Sequence, residues 1–126
     1  MEEKELQELS RRAARKLPKN WNGAFGVLWQ HHSAHSCGKY VPHGVPERQQ
    51  LDAAKWLHES TEACTEIMVR VLWNEEVDIK GGECAMPGSG YVAWSEQRSD
   101  ELTREEYFDD PMLAYRVAVL RALTAL

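Results

Sequence analysis

Five side chains able to bind a metal or pass a proton crowd into one short stretch of this chain: His31, His32, His35, Cys37 and His43. Imidazole nitrogen and thiolate sulfur are the donors zinc selects, and four of them can close a tetrahedron. His31, His35, Cys37 and His43 are therefore the candidate metal ligands, with zinc as the cofactor they would imply. The spacing matches none of the paired knuckles of structural zinc sites, and no second Cys or His pair follows at a useful distance. Cys37 with a histidine as its base is a second chemistry, which needs an imidazole within hydrogen-bond reach and a positive environment for the thiol. A polar loop that binds no cofactor is the plainer reading, and it is the one the spacing favours.

Two further stretches invite a chemical reading. The glycine-rich run GGECAMPGSG, residues 81–90, lacks the Gly-Lys-Ser/Thr ending of a phosphate loop and precedes no helical pattern, so it is expected to connect two strands. Between Glu96 and Asp110, seven carboxylates outnumber Arg98 and Arg104, but the central glycine of a calcium loop is missing. A solvated loop with a short helical turn, capped by Ser99 or Thr103, is expected there.

Five tryptophans are many for 126 residues, and tryptophan is over-represented at protein interfaces. Trp29 and Trp73 fall among apolar neighbours and are expected in the core. Trp56 and Trp94 have polar neighbours and are the candidates for an anchor on a partner, together with the carboxylates of Glu101, Glu105 and Glu106.

Composition narrows the function classes. Net charge is -5, with nine basic against six acidic residues in 1–58 and six against fourteen in 59–126. A net-acidic chain is poorly suited to a phosphate backbone, which argues against nucleic acid as partner and leaves a basic protein surface as the complement. No apolar run is long enough to cross a bilayer, and the charged start MEEKELQELSRR has no signal-peptide core. Three cysteines without CxxC spacing (Cys37, Cys64, Cys84) read as free thiols in a reducing cytosol.

The elements that must position these groups follow from periodicity. Residues 2–17 predict an amphipathic helix with Leu6, Leu9, Ala13 and Leu17 on one face, acids first and bases last, stopped by Pro18. AFGVLWQ predicts a short strand, with a second possible at Lys39–Val41. Residues 48–59 predict a central helix with Leu51, Ala54 and Leu57 inward. CTEIMVRVLW then alternates, which predicts a strand with Thr65, Ile67, Val69, Val71 and Trp73 on the core face. Val77, Ile79 and Gly90–Ser95 predict further strands. Asp110 and Pro111 mark the start of a largely buried C-terminal helix. The whole predicts one α+β domain over 1–126, with an antiparallel sheet of three to five strands packed by N-terminal, central and C-terminal helices.

KELQELSRRAA, LDAAKWL and AYRVAVLRALTAL together resemble small accessory proteins of bacteriophages and prophages whose role is unassigned. The likeness covers about half the chain. VPHGVPERQQ departs from it, standing where a tryptophan-centred turn commonly precedes the central helix. The resemblance implies a bacterial cytosol and an α+β fold, and it transfers no catalytic residue. The expected function is a non-enzymatic protein that docks on a host or phage protein, in the manner of an inhibitor or immunity protein, with a homodimer also open. A metal-binding protein or small enzyme using the His31–His43 cluster is the alternative.

Overall fold

The structure is a computed structural model and describes residues 1–18, 21–22, 28–29, 54–83, 90–95 and 108–126. Helix α1 spans Glu3–Ala14. Leu6, Leu9, Ala13, Ala14 and the following Leu17 are buried, which is the stripe the spacing predicts. Glu3 and Glu5 sit in its first turn and Arg11 and Arg12 in its last, complementing the helix dipole. Ser10 is buried among these leucines, the one polar residue of the inward face.

Strand β1 (Trp21–Asn22) pairs antiparallel with β2 (Leu28–Trp29). Strand β3 (Ile79–Glu83) pairs antiparallel with β4 (Tyr91–Ser95), in the register Ile79↔Ser95 to Glu83↔Tyr91. Gly81, Gly82 and Glu83, expected in the connection 81–90, belong to β3, and residues 84–89 lie outside the described residues. Tyr91 and Phe108 exchange both backbone hydrogen bonds, at 2.7 and 2.8 Å. Gly90 makes this close approach possible: its φ is +114°, and a Cβ there would stand 2.8 Å from the Phe108 carbonyl oxygen. Among the described residues the strands form these two two-stranded ladders, and the expected sheet of three to five strands is not seen among them.

The alternating segment corrects the sequence reading most. Helix α2 covers Thr61–Ile67, continues as a π-helical turn over Met68–Leu72, and closes in a 3-10 turn at Trp73–Glu75. The buried residues come in doublets four apart, namely Ala63 and Cys64, Ile67 and Met68, Val71 and Leu72. An α-helix would rotate such doublets by about 40° at each step. The wider π turn takes up part of that drift and keeps the doublets on one side. Thr65, Val69 and Trp73 are consequently exposed, and Trp73 is not a core residue.

Local signals agree with the helix. Ser60 caps α2, its Oγ accepting from the Ala63 amide at 3.1 Å. At the far end the Val77 amide donates to the Leu72 carbonyl and the Glu76 amide to that of Trp73. With Glu76 left-handed at φ 57°, this is a Schellman closure, and Leu72 and Val77 at its two ends are both buried. The expected central helix is described only from Ala54 onward, where it is a turn followed by the 3-10 helix Leu57–Glu59.

Helix α3 spans Pro111–Thr124 and begins as the sequence predicts, with Asp110 Oδ1 accepting from the Met112 amide at 2.9 Å. It packs on β3, β4, α1 and α2, burying Val117, Val119, Leu120 and Leu123. One core cluster joins all these elements, so the described residues form an α+β fold. No helix among them is long and apolar enough to cross a membrane.

Candidate functional site

The described polar groups converge where α1 meets the turn before α2. Glu3 and Ser10 lie seven residues apart on α1, two helical turns, and so share a face. That face meets His58, whose side chain is 2% exposed. Ser10 Oγ stands 2.9 Å from His58 Nδ1 and also accepts the His58 backbone amide at 3.0 Å. On the outer side of the ring, Nε2 is 3.0 Å from Glu3 Oε1 and 4.0 Å from Glu59 Oε1. The Trp56 ring lies beside it, centroids 6.3 Å apart, with the Lys55 ammonium 5.2 Å above the indole.

Arg116 of α3 holds this turn from behind. Its Nε donates to the His58 carbonyl at 2.6 Å, one terminal nitrogen donates to Thr61 Oγ1 at 2.8 Å, and the other lies 3.8 Å from Asp110 Oδ2. Cys64 sits below, its thiol 3.5 Å from the Leu57 carbonyl. Burial pushes that thiol up to about 12, with the Arg116 guanidinium opposing in smaller part. Cys64 is thus a neutral core residue at ordinary pH and is not a nucleophile.

Serine, histidine and glutamate joined in this order imitate a hydrolytic triad, but the surroundings do not serve that chemistry. Ser10 is fully buried, and its oxygen already accepts the His58 amide. A nucleophile needs an exposed oxygen with donors placed for the oxyanion. The cleft beside Ile79, Lys80, Tyr91, Ala114 and Tyr115 lies elsewhere, is open to solvent, and holds about 200 Å³. That is below the usual ligand-pocket range of about 300–1,000 Å³. Tyr115 has its hydroxyl 3.2 Å from Thr65 Oγ1, and burial raises its pKa.

Comparison with family models, curated proteins and solved structures finds no match. Function must therefore be read from the molecule's own surfaces.

On those surfaces the tryptophans sort differently from the sequence expectation. Trp73 is 55% exposed and Trp56 46%, whereas Trp94 is partly buried on β4. Val69, one helical turn before Trp73, is 45% exposed. Trp56 stands as a candidate anchor, Trp94 offers less surface, and Val69 with Trp73 adds a patch that alternation had assigned to the core. Glu101, Glu105 and Glu106 lie outside the described residues, as do His31, His35, Cys37, His43 and the side chain of Trp29.

Sequence reasoning also passed over Ser10 and His58. The available signal was the seven-residue spacing of Glu3 and Ser10 on a helix whose remaining inward residues are apolar. Nothing local in the sequence pairs that face with a histidine 48 residues away.

Proposed function

We propose that this protein is a non-enzymatic docking protein that grips a basic partner protein through the exposed face of the helical segment 61–76. One observation carries the reading: Val69 and Trp73, four residues apart, are 45% and 55% exposed on one side of a helix whose opposite side is core. A large exposed aromatic beside an exposed aliphatic residue is the composition of an interface hot spot. Glu62, Glu75 and Glu76 are exposed on the same segment, with Arg70 its one base. The Arg70 guanidinium is bonded at 3.1 Å to Glu66, the more buried of the pair, and stacked 4.0 Å over the Trp21 ring, so the remaining exposed charge of the segment is that of Glu62, Glu75 and Glu76. Such charge steers a basic surface and sets the association rate more than the final affinity.

The resemblance to phage accessory proteins directs the search to host and phage proteins, and an inhibitor or immunity role suits a small acidic surface of this kind. A photo-crosslinking residue at position 69, which leaves Trp73 in place, should join one cytosolic protein that the same residue at position 4, on α1, does not. Trp73→Ala should abolish capture of that protein while Trp56→Ala spares it, and raising salt should slow association. Capture that is indifferent to Trp73→Ala would remove the proposal.

A further inference from the structure

The geometry points to a divalent transition-metal site, suited to zinc, formed by His58 Nε2 with the carboxylates of Glu3 and Glu59. It is independent of the docking face. The three donor atoms lie within 4.8 Å of one another. Neighbouring donors around a tetrahedral zinc stand roughly 3.3–3.4 Å apart, given bonds of about 2.0–2.1 Å. The Nε2 distances of 3.0 Å to Glu3 and 4.0 Å to Glu59 bracket that value. Both carboxylates are more than half exposed and can swing the remaining distance, on the order of 1 Å.

What separates this group from an ordinary surface cluster is how the imidazole is held. Metal-binding histidines have the far ring nitrogen fixed by a hydrogen bond, which sets the tautomer and aims the other nitrogen outward. Ser10 Oγ does this at 2.9 Å from Nδ1, inside the core. The same oxygen holds the His58 amide, and Arg116 holds its carbonyl at 2.6 Å, so backbone and ring are both fixed before any ion arrives. In one tautomer the Ser10 hydroxyl donates to Nδ1 and Nε2–H donates to Glu3. In the other, Nδ1–H donates to Ser10 and Nε2 presents its lone pair to an ion. One imidazole and two carboxylates neutralise a divalent charge and leave coordination positions for water. The imidazole donor favours zinc or its first-row neighbours over magnesium and calcium, which prefer oxygen alone. An ion here would staple α1 to the turn before α2, across 55 residues of chain.

The full chain, without a histidine tag and stripped with EDTA, is to be titrated with zinc chloride by calorimetry and with cobalt chloride by absorption. We expect one ion per chain at this site, a rise in Tm with zinc, and cobalt d–d bands without a thiolate charge-transfer band. Glu3→Gln/Glu59→Gln, two exposed changes that leave the core intact, should weaken zinc at least about tenfold and erase the Tm rise. His35→Asn/Cys37→Ser should leave both in place, as should Trp73→Ala, which tests the docking face alone. No binding at micromolar zinc would overturn the proposal. So would binding unchanged in the double glutamine variant, or binding lost with His35→Asn/Cys37→Ser.

Discussion

His58 and Ser10 are bonded to each other through two separate groups of the histidine, the ring Nδ1 at 2.9 Å and the backbone amide at 3.0 Å from one serine oxygen. Both residues are buried, so neither bond has water as a substitute. The pair therefore decides how α1 seats against the turn that starts α2.

Ser10→Ala strands two buried polar groups at once, and a buried group without a partner costs about 1–3 kcal/mol. Urea unfolding should show a loss of about 2–6 kcal/mol, one such penalty for each group. Glu3→Gln, at the exposed edge of the same ring, should cost less than about 1 kcal/mol. Equal losses for the two would mean that the serine contributes no more than a surface contact.

Substitutions along 61–76 read out the helix directly. Ile67→Ala and Leu72→Ala should each cost about 2–5 kcal/mol, as for other buried aliphatics. Val69→Ser and Trp73→Ser should stay within about 0.5 kcal/mol. A strand with the alternation of the sequence would make Trp73 costly and Leu72 cheap, so chemical denaturation of these four variants separates the two structures.

Glu76 occupies a left-handed position at φ 57°, where a side chain costs about 1–2 kcal/mol and glycine costs little. Glu76→Gly should raise stability by about 1 kcal/mol, net of the freedom glycine adds to the unfolded chain. A fall in the urea midpoint would show that the Glu76 side chain makes compensating contacts.

Alkaline pH should weaken the fold through Cys64. The unfolded thiol loses its proton near 9 and the folded one, held by burial, near 12. The folded pKa is the higher, so this contribution is complete below pH 9 and is lost as pH rises from 9 towards 12. The slope is about 1.4 kcal/mol per pH unit. Tyr115, also raised by burial, adds a loss of the same sign above its ordinary value of 10. Urea midpoints at pH 8 and 10.5 should diverge, and Cys64→Ala should flatten that dependence. Thiol labelling at pH 8 should spare Cys64 until urea is added.

The sequence by itself determined the elements whose ends and faces are written in adjacent residues. Asp110 and Pro111 open α3, and Leu6, Leu9 and Ala13 set an inward stripe, each through bonds made within a turn or two of chain; α1 itself closes at Ala14, short of the stop expected at Pro18. The strand ending at Ser95 was legible for the same reason, whereas Gly81 and Gly82, expected in a connection, lie within β3. Segment 61–76 was not, because doublets four apart satisfy a period of two as readily as a helical one. β-branched residues disfavour helix by less than about 0.7 kcal/mol each. Burying Ile67, Val71 and Leu72 in the core outweighs that preference, and only the packed structure contains this term. Ser10 with His58, and the exposure of Trp73, belong to the same class. Each depends on which face meets which neighbour across long stretches of chain, and tertiary packing alone decides that.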